Sequence, residues 1–185
     1  MKKTELHNQI FTIENFLSVK ECDDFIEKAE IQSFEEAKVN AGGTQVMNKM
    51  VRNNDRLFFF DETLANTLWL KVREFVPAFF GNSEAIGLNE MFRIYRYEEG
   101  QRFKMHRDGS YERNDTEFSI LSFLIYLNDD FKGGETEFRK ITTVKPKTGM
   151  ALVFHHPLRH EGQSIISGIK YVLRTDVMYK LMNNE

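Results

Sequence analysis

The chain has 185 residues, with 25 Lys and Arg against 28 Asp and Glu, a formal net charge of −3 and an isoelectric point near 6. Basic residues are scattered among acidic ones, which speaks against a nucleic-acid or anionic-membrane partner, since either needs clustered Lys and Arg. The length suits one domain with a sizeable core, and a lone cysteine, Cys22, excludes an internal disulfide or a CxxC metal knuckle.

The N-terminus lacks the apolar stretch of a signal peptide, and no apolar run approaches the ~20 residues of a membrane span. With a single cysteine this fits a reducing, cytoplasmic setting. The N-terminal third then reads helical. In FLSVKECDDFIEKAEI, Ser18 and Glu21 form an S-x-x-E capping box, and Cys22, Phe25, Ile26 and Ala29 recur at helical spacing, with Cys22 as a small core residue. A second helix follows in DETLANTLWLKVREFVPAFFG, carried by Leu64, Leu68, Val72, Phe75, Val76 and Phe79 and ended by Pro77–Gly81.

From about residue 88 the pattern changes. MFRIYRYEEG, FSILSFLIYLND, GGETEFRK, ITTVKPKTG, MALVFHH and IKYVLRTDVMYKL are short β-branched and aromatic runs separated by turn residues. Such spacing predicts an antiparallel barrel or double-sheet jelly roll, so helices first and β structure second make an α+β arrangement. The expected organisation is one domain over 1–185, with a mainly helical support region over 1–85 and a β core over 86–183. The Gly133-Gly134 pair is expected to serve turn geometry only.

Four of the five histidines fall in the β part: His106, His155, His156 and His160. His106 and Asp108 stand two apart, so on a strand both side chains point the same way. With His160, 54 positions beyond His106, they make a two-histidine, one-carboxylate set, the arrangement diagnostic of non-haem Fe(II) oxygenases. His156 is the rival for the distal position, or a group that orients a ligand.

The segments YRYEEGQRFKMHRDG, LSFLIYLNDDFKGGETEF, VKPKTGMALVF and HEGQSIISGIKYVLR, in that order over residues 91–179, resemble the catalytic domain of prolyl 4-hydroxylase-type Fe(II)/2-oxoglutarate dioxygenases. VRNNDRLFFFD is similar, less specifically, to the family's N-terminal support region. The resemblance implies a double-stranded β-helix (jelly-roll, cupin-like) core with supporting N-terminal helices. It also implies Fe(II) on His106, Asp108 and His160, because a Lys or Arg follows the distal histidine by about ten residues and Lys170 stands at that distance from His160.

Lys170 is then expected to pair with the far carboxylate of 2-oxoglutarate. Tyr97 is expected to hydrogen-bond the same molecule. Arg174, on the same strand face as Lys170, is expected either to share that carboxylate or to meet an acidic group of the substrate. By the resemblance, 2-oxoglutarate and O2 fill the remaining iron positions, and a substrate C–H bond is hydroxylated while 2-oxoglutarate becomes succinate and CO2. Ascorbate is a further candidate cofactor. The expected substrate is proline in a protein or peptide, or alternatively a free amino acid or other small molecule. GSYERNDTEF, directly after Asp108, is a candidate lid over the pocket. A non-catalytic cupin-like metal- or ligand-binding module is the reading from another class.

Overall fold

The computed structural model describes residues 1–37, 39–41, 44–46, 48 and 50–182. Helix α1, Val19–Glu30, starts as its sequence requires. The Ser18 hydroxyl accepts the Glu21 N–H while the Glu21 carboxylate takes the Ser18 N–H, satisfying two donors that a helix start leaves open. Cys22 is fully buried on it, as expected of a core residue. Helix α2, Glu62–Val72, is capped by Asp61. It ends at Val72, before the expected Pro77–Gly81 stop, and Phe79–Phe80 pairs instead with Ser83–Leu88 as a strand.

The expectation of a mainly helical region over 1–85 needs correction. Strands Lys2–His7, Ile10–Glu14 and Asp55–Phe60 belong to the large sheet, and only α1 and α2 are helical among the described residues of this region. Runs such as IFTIE and DRLFFF are β-branched and aromatic, and each buries its backbone bonds in a neighbouring strand of the C-terminal part: Ile10–Glu14 against Ala151–His155, Asp55–Phe60 against Met91–Tyr97.

The long strand Lys170–Leu181 is central, flanked by Glu117–Tyr126 and Met91–Tyr97. Its two faces differ. Tyr171, Leu173 and Val177 join the apolar cluster that packs against α1 and α2, with Phe92, Ile94, Phe123 and Ile125 from the flanking strands. Lys170, Val172, Arg174 and Asp176 alternate onto the other face. There a smaller apolar cluster that includes Tyr95, Tyr97, Tyr126, Phe138 and Phe154 fills the space toward a second sheet. That second sheet runs Phe103–His106, His160–Gly162, Thr136–Phe138, Thr142–Val144. Two sheets with a common interior form the jelly roll expected from the turn spacing. No helix among the described residues is long and apolar enough to cross a membrane.

Candidate metal centre

His106 and His160 are direct partners across antiparallel strands of the small sheet, which brings residues 54 apart in sequence side by side. Asp108 follows the His106 strand, its N–H bonded to the His156 carbonyl at 3.2 Å. Potential ligand atoms of His106, Asp108 and His160 lie within 4.8 Å of one another. His106 Nε2 is 3.6 Å from Asp108 Oδ1, and His160 Nε2 is 3.7 Å from Asp108 Oδ2, both too long for hydrogen bonds. The other ring nitrogens are engaged: His106 Nδ1 donates to the Lys104 carbonyl at 2.8 Å and His160 Nδ1 to that of Leu158 at 3.0 Å. A carbonyl can only accept, so each Nδ1 carries a proton and each Nε2 is the ring atom turned toward Asp108.

The electrostatics suit a cation. Burial pushes the Asp108 carboxyl upward, but the Arg174 guanidinium and His160 beside it outweigh that and hold it well below the usual carboxylate range. Burial pulls His160 down to about 4, so its ring is neutral at physiological pH. Two imidazoles and one ionised carboxylate converging on one point fit a divalent transition metal, and the donor set matches non-haem Fe(II).

The same cavity reaches Tyr97, Thr136, Lys170 and Arg174. Lys170 is 4% exposed; its ammonium donates to the Gly134 carbonyl at 2.5 Å and lies 5.5 and 5.3 Å from the Tyr97 and Tyr126 ring centres. Burial pulls it down to about 7, with only Glu135 acting the other way. A buried ammonium with no ion-paired carboxylate among the described residues is a costly arrangement unless an anion arrives. Gly134 contributes more than a turn. At φ +69° it adopts backbone that side chains avoid, and a Cβ there would lie 2.5 Å from Ile165 and 3.2 Å from Lys170 Cδ. The glycine lets its carbonyl approach the lysine.

Arg174 shares the strand face of Lys170 but is engaged elsewhere. Its Nη1 lies 3.0 Å from Asp108 Oδ1 and its Nη2 3.4 Å from Asp176 Oδ1. His156 stands behind Asp108, its two ring nitrogens each 2.9 Å from a serine hydroxyl, Ser119 and Ser122. Both of its nitrogens are engaged there, and His156 lies outside the His106–Asp108–His160 cluster. The 109–118 segment is fastened: Ser110 and Tyr111 bond Ser119, and Arg113 pairs with Glu90 and Glu117.

Four residues of the site escaped the sequence reading. Ser119, Ser122 and Asp176 are buried polar groups in apolar strands, a pattern that itself signals a partner. Arg52 is 5% exposed, its guanidinium carbon 4.3 and 4.4 Å from the ring centres of Tyr95 and Phe103, two residues of the cavity wall. Its Nη2 has no hydrogen-bond partner among the described residues.

The sequence model of the 2OG-Fe(II) oxygenase superfamily matches residues 92–175. A putative prolyl 4-hydroxylase of Acanthamoeba polyphaga mimivirus is 28% identical over 188 residues, covering 90% of this chain and 72% of the relative. Probable prolyl 4-hydroxylase 6 of Arabidopsis thaliana is 30% identical, but there the chain spans only 57% of the relative's length against 78% of its own. Among solved structures, a viral collagen prolyl hydroxylase from Paramecium Bursaria Chlorella virus-1, in complex with 2OG, superposes with a TM-score of 0.65 at 21% identity, covering 94% of this chain and 97% of that one. A prolyl hydroxylase from Trichoplax adhaerens, in complex with a peptide fragment of a hypoxia inducible factor, gives 0.71 at 16% identity, covering 92% and 83%. At those identities the two structures speak for the fold.

Proposed function

We propose that the chain is a 2OG-Fe(II) oxygenase with a prolyl 4-hydroxylase-like catalytic domain, as its likeness to that superfamily over residues 92–175 and to the viral relative supports, and that it hydroxylates a C–H bond of proline in a protein or peptide. We read 1–185 as one catalytic domain acting in the cytoplasm. His106, Asp108 and His160 hold Fe(II), and Lys170 with Tyr97 holds 2-oxoglutarate. The observation that carries this reading is the pairing, in one cavity, of the His106–Asp108–His160 cluster with the buried Lys170 ammonium, which has no carboxylate partner among the described residues.

Bound there, iron and 2-oxoglutarate supply the oxidising chemistry, with 2-oxoglutarate leaving as succinate and CO2 and O2 as the oxidant. The chain's own residues do the rest. The Leu158 and Lys104 carbonyls aim the imidazoles. Arg174 and Ser122 fix the two oxygens of Asp108, at 3.0 and 2.5 Å. Lys170 neutralises one end of a dicarboxylate in a site walled by Tyr97, Leu124 and Val172, which keeps water from the reacting centre.

The test is a turnover screen with Fe(II), 2-oxoglutarate and ascorbate, offering proline-bearing peptides and free amino acids and reading succinate and a product heavier by one oxygen. Succinate release that needs a peptide supports the reading. Product from a free amino acid alone moves the substrate to the small-molecule class. His106→Ala and Asp108→Ala should each abolish turnover, and unchanged succinate release from either would sink the metal assignment.

A further inference from the structure

Asp108 sits at the end of a hydrogen-bond chain that runs back through Ser122, His156 and Ser119. Ser122 Oγ is 2.5 Å from Asp108 Oδ2 and 2.9 Å from His156 Nδ1. His156 Nε2 is 2.9 Å from Ser119 Oγ, and that hydroxyl accepts the Tyr111 backbone N–H at 2.8 Å. A serine hydroxyl has one proton to give, and an ionised carboxylate can only accept. Ser122 therefore donates to Asp108 and accepts from His156 Nδ1–H. The chain runs from the Tyr111 N–H through Ser119, His156 and Ser122 to Asp108, with the His156 Nδ1–H and the Ser122 hydroxyl both donating toward the carboxylate.

The backbone is adjusted to make this possible. Residues three apart on a regular strand face opposite sides of the sheet. The register of Glu117–Tyr126 against Lys170–Leu181 shifts between Ser119 and Leu121. Ile120 and Leu121 consequently both join the apolar cluster on the helical face, and Ser119 and Ser122 both reach the one imidazole on the other face. Bulges that re-aim a side chain are concentrated next to active sites. Ser119, Ser122 and His156 are all at most 4% exposed, and burying three polar side chains is unfavourable unless they bond one another.

Resting on the His106–Asp108–His160 reading, we propose that His156 is a positioning residue: through Ser122 it sets the Asp108 carboxylate for metal binding, and through Ser119 it fastens that setting to the loop after Asp108. It touches neither metal nor substrate. Ser122 on Oδ2 and Arg174 on Oδ1 hold the carboxylate at two points, and His156 decides where the Ser122 proton goes.

The test is Mn(II) binding to the full chain, titrated without O2 or 2-oxoglutarate and read by the electron paramagnetic resonance of the free ion. Thermal melting of the metal-free protein runs beside it. Groups that orient metal ligands are worth about 10- to 100-fold in affinity, so His156→Leu should weaken Mn(II) about ten-fold, while His156→Asn, which keeps an N–H near the Nδ1 position, should stay within about three-fold. Ser122→Ala should lose at least as much as His156→Leu, and the two together no more than Ser122→Ala alone. Wild-type affinity in His156→Leu, equal loss in the Asn and Leu variants, or a His156 loss repeated in full on the Ser122→Ala background would each overturn the proposal. If His156→Leu does not fold, Ser122→Ala reads the same link, and wild-type affinity there overturns it. His106→Ala and Asp108→Ala are the controls: Mn(II) binding that survives them refutes the metal site itself, whereas their loss beside an unaffected His156→Leu refutes the positioning role alone.

Discussion

Lys170, buried, and Arg174, its side chain 12% exposed, are cations four residues apart on one face of one strand, roughly 13 Å along it at the usual rise. Their surroundings are opposite. Arg174 lies between two carboxylates, Asp108 and Asp176, and although burial works against its charge, those neighbours push its pKa well above the ordinary value. Lys170 has a carbonyl and two aromatic rings, and burial pulls it down to about 7. A paired cation organises the protein around it; an unpaired one is a vacancy for an anion. Sequence spacing treats the two alike, and only the pairing separates the partner of Asp108 from the proposed 2-oxoglutarate anchor.

The largest effect should come from emptying the Lys170 end. Removing one partner of a buried charge pair costs about 2–5 kcal/mol, so Lys170→Met should weaken 2-oxoglutarate binding by roughly 30-fold to several thousand-fold. Calorimetric titration of the Mn(II)-loaded protein measures it. Mn(II) affinity itself should change little, because Lys170 does not touch Asp108. Retained 2-oxoglutarate affinity would dissolve the contrast between the two cations.

Arg174→Met should act in the opposite pattern. Orienting groups set metal affinity by about 10- to 100-fold, so Mn(II) binding should fall about ten-fold while 2-oxoglutarate affinity for the Mn(II)-saturated protein holds within about three-fold. Leaving Asp108 buried beside one donor instead of two should also lower the melting temperature of the metal-free protein by several degrees, since breaking a buried pair costs about 3 kcal/mol or more. Loss of 2-oxoglutarate with Mn(II) binding intact would instead return Arg174 to the anchor role that its strand face suggested.

The β core was legible because alternation and turn residues report a two-faced strand directly, and His106 with Asp108 because two-residue spacing on a strand is a geometric statement. The site's outer layer was not. Ser119 and Ser122 act together only because of a register shift, and a shift leaves no mark in FSILSFLIY. Arg174 was placed on the correct face, yet its partner lies on a segment 66 residues earlier, joined only when the sheets close. The N-terminal strands misled for the same reason. Ile10–Glu14 and Asp55–Phe60 are strands because of where they dock, on edges supplied by residues 91–97 and 151–155.

The smallest effect is in the pH dependence of stability. Below about pH 7 Lys170 is charged in both the folded and the unfolded chain, and the full cost of burying an ammonium opposes folding. As pH rises from there toward the ordinary lysine value of about 10.4, the folded protein holds a neutral amine while the unfolded chain still binds the proton. The unfolded state then carries more protons, so stability rises with pH. Glu135 supports the charged form, and Tyr97 and Tyr126, whose phenols burial pushes upward, stay neutral across this window. Lys170→Met lacks the titration, and subtracting its melting curve removes every other group's contribution, including the constant effect of depriving the Gly134 carbonyl of its donor. The wild type should therefore gain on the variant by several degrees between pH 6.5 and pH 9, at about 2–4 °C per kcal/mol for a chain of this size. Saturating 2-oxoglutarate with Mn(II) should flatten the difference, because a carboxylate at Lys170 keeps the ammonium charged in the folded state. A slope that is absent in the free protein, or unchanged by 2-oxoglutarate, would mean that the Lys170 end is not the anion site its burial implies.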